Sequence, residues 1–123
     1  MPVDRNMLAP YPWNMKSPTS LQFAILTALA DEPMHGYALV DEAAMALGRR
    51  PGVATVYASL ERLIALGWIR PERDEIVDGR LRRYYKISMT GLQILGEEAK
   101  EMARRARTAQ QRVQRIQALG AST

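Results

Sequence analysis

Three observations predict a mainly α-helical fold with a small β-hairpin and one long C-terminal helix. Apolar residues recur at helical steps in three successive stretches between residues 18 and 66. Asp78-Gly79, among the strongest short-range hairpin turn signals, lies between Trp68-Ile69-Arg70 and Arg82-Arg83-Tyr84-Tyr85-Lys86-Ile87. From Leu92 to Ile116 an apolar repeat alternates steps of three and four without a miss.

Residues 1–16 hold three prolines, two aromatics and no periodicity, and read either as an arm ordered by packing on another surface or as a floppy tail. At Ser17-Pro18 a helix is expected to start, with Ser as N-cap and Pro in the first turn. Its apolar residues, Leu21, Phe23, Ala24, Ile25, Leu26, Ala28 and Leu29, go most of the way round. Such a helix is buried by more than one neighbour, which predicts contact with its own domain and with a partner chain.

Asp31-Glu32-Pro33 breaks that pattern, and a second helix runs from about His35 to Leu47 with Tyr37, Val40, Ala44 and Leu47 on one stripe. Gly48 closes it, and Arg49-Arg50-Pro51-Gly52 is a basic turn. The third helix, about Val53 to Leu66, puts Val53, Val56, Tyr57, Leu60, Leu63 and Ile64 on a core face. Thr55, Ala58, Ser59 and Arg62 lie opposite, a small polar face able to approach another surface closely. Gly67 ends the helix. In the hairpin, Pro71 implies a short, bulged or edge first strand, and the long connection implies a projecting tip.

Ser88 is the expected N-cap of the last helix, which reaches about Leu119. Leu92, Leu95, Ala99, Met102, Ala106, Ala109, Val113 and Ile116 form its seam. A 3.5-residue repeat held over more than three heptads predicts a coiled coil between two copies, since one small domain offers too little surface to cover it. The alternative is a helix lying on its own core. Leu21 and Ile25 of the first helix are expected to join this dimer interface.

Composition narrows the chemistry. At 123 residues the chain is about one domain's worth. With 47% hydrophobic and 24% charged residues it reads as a soluble globular protein. The absence of cysteine excludes disulfides, thiolate metal sites and thiol nucleophiles, and fits a cytoplasmic setting. The single histidine, His35, excludes multi-histidine metal sites, so neither metal nor cofactor is expected. No apolar run approaches the roughly 18 residues of a membrane span, and Met1 to Lys16 does not read as a signal peptide. Neither a phosphate-binding G-x-x-x-x-G-K-[ST] loop nor a credible catalytic cluster is present, so an enzyme is not expected.

The net charge of +4 is modest, but its placement is informative. Arginines cluster at 49–50, 80–83 and 104–107. Two helices joined by a short turn, the second with an exposed polar face, make a helix-turn-helix, and the arginine-rimmed hairpin supplies a wing. Residues 17–88 then form a winged helix-turn-helix, and residues 89–123 a C-terminal dimerisation helix. Thr55 and Ser59 suit phosphates or base edges, and Arg62 a phosphate or guanine. Arg80, Arg82 and Arg83 suit phosphates and the minor groove, and Arg49 and Arg50 can clamp the backbone. His35 suits a helix cap or a phosphate, and Tyr37 and Tyr57 can turn hydroxyls toward phosphates. Double-stranded operator DNA and a second copy of the chain are the expected partners, with no membrane. The rival reading is a winged-helix adaptor for protein contacts, which the basic wing disfavours.

Three segments carry a family resemblance. Ser20-Leu21-Gln22-Phe23-Ala24-Ile25-Leu26 with His35-Gly36-Tyr37-Ala38-Leu39 resembles the opening of the PadR family of transcriptional regulators. Thr55-Val56-Tyr57-Ala58-Ser59-Leu60-Glu61-Arg62-Leu63 with Gly67-Trp68-Ile69 resembles that family's recognition-helix motif. Arg82-Arg83-Tyr84-Tyr85-Lys86-Ile87-Ser88 with Gly91 resembles its second wing strand and the start of its last helix. The resemblance covers about residues 17 to 105 and implies a homodimeric repressor of the short-tailed subgroup. It further implies release from DNA by a small hydrophobic or aromatic effector, and control of detoxification, efflux or phenolic-acid genes. Two departures stand out. Val53-Ala54 occupies the place where many members have Pro-Gly, which leaves the start of the recognition helix open. The last helix lacks the tryptophan that some members stack on planar ligands, so Trp13, Met15, Phe23 and Met102 are the candidates for a substitute pocket.

Overall fold

The computed structural model describes residues 17–120. Helix α1 spans Ser20–Asp31 and is capped by Thr19, two residues beyond the expected Ser17. The Thr19 hydroxyl accepts from the Gln22 amide at 3.1 Å, and the Gln22 side chain accepts from the Thr19 amide at 3.0 Å. This capping box satisfies two amides reciprocally, an arrangement Ser17 cannot complete because the residue three positions on is Ser20 rather than Glu or Gln. The domain itself covers most of the apolar surround of α1, burying Ala24, Ile25, Leu26, Ala28 and Leu29. Ile25, expected at a dimer interface, is a correction: at 1% exposure it belongs to its own core and has no surface to offer a partner. Leu21 stays half-buried at the core's edge.

Strand β1, Met34–His35, is too short to leave a sequence signature. It pairs antiparallel with a later strand through Met34↔Tyr85 and His35↔Tyr84, so the hairpin grows into a three-stranded sheet. Helix α2, Gly36–Leu47, starts on the His35 cap and ends at Gly48, whose φ of 73° is the left-handed geometry glycine tolerates. Its buried stripe is Gly36, Leu39, Val40 and Ala43, displaced from the expected one. Tyr37 is left on the outside at 52% exposure.

Helix α3, Val53–Ala65, buries Val56, Leu60 and Leu63 completely. Val53 and Tyr57, expected in the core, lie on its margin instead, each more than a third exposed. Strands β2, Ile69–Val77, and β3, Arg80–Ile87, pair all the way to Asp78-Gly79. Both turn residues have positive φ, 52° and 76°, the requirement of a tight type I′ hairpin. Paired strands therefore replace the long connection expected from sequence. Pro71 sits at a bulge between Pro71 and Arg73 on an edge strand, where its missing N–H costs no ladder bond.

Helix α4, Met89–Ala118, is 30 residues long, which is about 45 Å at 1.5 Å per residue. Ser88 anchors its start: the hydroxyl accepts from the Gly91 amide at 3.0 Å and donates to the Gly67 carbonyl at 2.6 Å. The Ser88 amide donates to the Trp68 carbonyl at 3.0 Å. Trp68, 1% exposed, joins Ile25, Leu26, Leu39, Leu60 and Ile94 in a single core. Gly91, Ile94 and Glu98 are the buried residues of α4, and from Ala99 to Gly120 none is buried.

Candidate nucleic-acid interface

The outer face of α3 carries Ala54, Thr55, Ala58 and Arg62, all exposed, with Ser59 half-buried beside them. Its N-cap is Gly52, which has no side chain to cap with. The first amide bonded along the helix is that of Val56, to the Gly52 carbonyl at 3.1 Å. The N–H groups of Val53, Ala54 and Thr55 therefore point out of an open helix N-terminus, the arrangement that favours anions. Pro51-Gly52 directly abuts this helix, which settles its start at Val53.

A cavity of about 340 Å³ lies between the start of α2, Tyr57 of α3 and the Arg80–Arg83 stretch of β3. Tyr57 leans on Gly36 so closely that a β-carbon there would overlap the tyrosine ring, with Cε1 at 2.9 Å. Tyr37 meets Tyr57 edge-on, centroids 6.4 Å apart at 78°. Burial, then the neighbouring Tyr37, pushes the Tyr57 hydroxyl above its ordinary pKa of 10.0, so it remains a hydrogen-bond donor at neutral pH.

His35 forms one wall of this cavity. Its Nδ1 accepts from the Ala38 amide at 3.3 Å, and its Nε2 lies 3.3 Å from Nη1 of Arg82. The ring packs edge-on against Tyr84, with centroids 5.3 Å apart. Burial, then the Arg82 charge, holds the His35 pKa below its ordinary value of 6.5.

Not every arginine singled out in the sequence is free. Arg83 is held by Asp74 at 3.2 Å and Arg50 by Asp41 at 2.9 Å. Both pairs are exposed, where such bridges are worth about 0–1 kcal/mol and are readily exchanged for another anion. Arg49, Arg62 and Arg80 have no carboxylate partner among the described residues. Sequence reasoning missed Arg73, whose guanidinium stacks 4.1 Å above the Tyr84 ring. The bulge after Pro71 puts these two opposite each other, a register no sequence signal announces.

The seam of α4 lies on its open side. Leu92, Met102, Val113 and Ile116 are each between 41% and 55% exposed. Ala99, Ala106 and Ala109 are exposed between them, and Leu95 is half-buried against the core. Of the suggested pocket residues, Phe23 and Met102 line one cleft of about 410 Å³ between α1, the end of α2 and α4. Trp13 and Met15 lie outside the described residues. Among the described residues no cluster of three or more His, Cys, Asp or Glu could hold a metal, and no helix is long and apolar enough to cross a membrane.

The profile of the transcriptional regulator PadR-like family matches residues 25–97, which run from within α1 through α2, α3 and the sheet to the first turns of α4. The chain belongs to the PadR-like family of transcriptional regulators. "Transcriptional regulator Rv3488" of Mycobacterium tuberculosis (strain ATCC 25618 / H37Rv) is 34% identical to this chain over 88 residues, 72% of this chain and 80% of that protein. An "Uncharacterized 37.1 kDa protein in transposon TN4556" of Streptomyces fradiae is 37% identical over 83 residues, 68% of this chain. The match spans only 23% of that relative's length. The crystal structure of Bacillus subtilis PadR in complex with operator DNA shares the fold, with a TM-score of 0.59 and 24% identity over 66% of this chain and 47% of that one. The PadR winged helix is thus the frame on which the cavity, the open helix N-terminus and the seam are mounted.

Proposed function

We propose that this PadR-family chain is a homodimeric repressor that occupies operator DNA and is released by a small hydrophobic or aromatic effector. The observation that carries the reading is the cavity shared by α2, α3 and β3. It gathers three wing arginines, two tyrosines and a histidine, all able to serve phosphates, beside the open N-terminus of α3. The relative crystallised on operator DNA supports the same use of the fold.

The seam residues support dimerisation through α4, and an antiparallel pairing of two copies accommodates them. A two-fold axis near Arg104 would layer Leu92 on Ile116, Leu95 on Val113, Ala99 on Ala109 and Met102 on Ala106. Bulky pairs then close both ends, and alanines at the crossing let the helices approach closely. The dimer must hold two α3 helices about 34–36 Å apart to enter successive major grooves. The cleft lined by Phe23 and Met102 lies against α4, so a ligand wedged there would shift the seam and spoil that spacing. Genes of detoxification, efflux or phenolic-acid metabolism are the targets the family resemblance implies.

Fluorescence anisotropy with DNA from upstream of the chain's own gene, against a scrambled duplex across a salt series, tests the reading. Tight binding to the native fragment that weakens steeply with salt supports an operator-binding regulator. No binding even at low salt overturns it in favour of a protein-contact adaptor.

A further inference from the structure

Among the described residues, His35 faces two hydrogen-bond donors and no hydrogen-bond acceptor. A backbone amide, that of Ala38, approaches Nδ1 at 3.3 Å, and the Arg82 guanidinium approaches Nε2 at the same distance. Neither partner can accept. A neutral imidazole has one acceptor nitrogen and one N–H, so it can satisfy only one of them. With Nδ1 engaged as the α2 cap, the proton sits on Nε2 and points at the guanidinium. Protonating the ring is worse, because both N–H groups then meet donors and a second positive charge stands beside Arg82. The arrangement is complete only when an anionic acceptor lies beside the two nitrogens, within hydrogen-bond reach of both. The cavity they line opens there, flanked by the Tyr37 and Tyr57 rings, Arg80 and Arg83.

We propose that one backbone phosphate of bound DNA is shared between His35 Nε2 and the Arg82 guanidinium, and that filling this site couples DNA binding to proton uptake by His35. The inference rests on the DNA-binding reading above and adds the protonation step. The phosphate accepts from Nε2–H and from Arg82, which relieves the donor–donor contact. Its negative charge also stabilises the imidazolium, so the His35 pKa rises on binding. The groups facing the ring from the packed elements set the free-state balance. Arg82 of β3 opposes protonation, while Asp41 of α2 and Glu75 of β2 favour it. Tyr84 of β3 packs on the ring, and Tyr37 and Tyr57 line the same cavity, the Tyr57 hydroxyl held above its ordinary pKa. Asp41 pairs with Arg50 and Glu75 acts on the Tyr84 hydroxyl, so both carboxylates already have partners other than Nε2. In the free protein burial and Arg82 prevail, and the ring is neutral near pH 7.

The linkage has a defined sign. Protons are taken up on binding between the lower free-state pKa and the higher bound-state pKa, so affinity rises as pH falls through that window. One proton limits the slope to about tenfold in Kd per pH unit. Because His35 is the only histidine, a single imidazole signal reports its protonation by NMR. That signal is titrated in the full chain, free and on a duplex from upstream of its own gene, alongside anisotropy across pH 5.5–8 at constant ionic strength. The expected results are a midpoint below 6.5 in the free chain, an upward displacement on DNA, and tighter binding at lower pH. His35→Asn keeps a capping oxygen for the Ala38 amide, so it should fold, bind more weakly and lose the pH slope. Tight DNA binding with an unmoved or lowered His35 midpoint overturns the proton coupling and leaves the operator reading intact. Absence of binding to any duplex at low salt overturns both.

Discussion

Gly91, in the first turn of α4, lies so close to the Trp68 carbonyl oxygen that a β-carbon there would overlap it, and would stand 2.9 Å from Ile87 Cγ1. The same carbonyl accepts from the Ser88 amide, so the helix start and the first wing strand are locked at one point. Gly91→Ala must push α4 away from backbone that cannot yield. A loss of about 3 kcal/mol is expected, at the upper end of overpacking costs. Urea denaturation at one protein concentration measures it. Gly96→Ala is the control, because a β-carbon there meets nothing within 4 Å. On helix propensity it should stabilise by up to about 1 kcal/mol.

That contrast shows which parts of the molecule could be read from sequence. The seam from Leu92 to Ile116, the Gly48 cap and the Asp78-Gly79 turn are local patterns, and the structure contains the elements they announce. Strand β1 and the Arg73–Tyr84 stack are not local: each depends on register with a distant part of β3. The same limit applied to Tyr57. Its spacing matched Val56 and Leu60, but the absent side chain of Gly36 draws its ring to the helix margin. Of the candidate interface, residue types were legible and pairings were not. Asp41 and Asp74 engage Arg50 and Arg83 over nine-residue separations that carry no signal.

Arg62 and Arg80 should fail differently. Arg62 stands on the outer face of α3, where a side chain reading a base would discriminate sequences. Arg62→Ala is expected to cost about 1–3 kcal/mol on the native fragment and to narrow its advantage over scrambled DNA. Arg80, beside the turn of the wing, suits a phosphate. Arg80→Ala should weaken both duplexes alike and reduce the slope of log affinity against log salt by about 1. Paired salt titrations of the two variants check the assignment.

Stability without DNA should also depend on His35. Its folded pKa lies below the ordinary 6.5, so the unfolded chain binds the proton more readily. The neutral ring's contribution is present above pH 6.5 and is lost as pH falls through the folded-state value. Thermal unfolding between pH 7.5 and 5 should therefore show a decline in Tm that is shallower in His35→Asn. Identical pH profiles for the two proteins would remove the basis for a depressed pKa.

Ala106 sits near the centre of the proposed crossing, on a stretch of α4 where no residue is buried by the chain's own domain. Nothing within one protomer resists a larger side chain there, so Ala106→Glu should leave the monomer fold unchanged by circular dichroism. In the dimer the same change would put two carboxylates at the closest approach of the helices, facing Met102 of the partner subunit. Burying such charges without partners costs several kcal/mol, enough to dissociate a helix pair of this size at micromolar concentration. Sedimentation velocity should then give a monomer, and operator affinity should fall to the level of scrambled DNA, because one α3 helix alone cannot span two half-sites. A variant that remained dimeric would place the interface on a different face of α4.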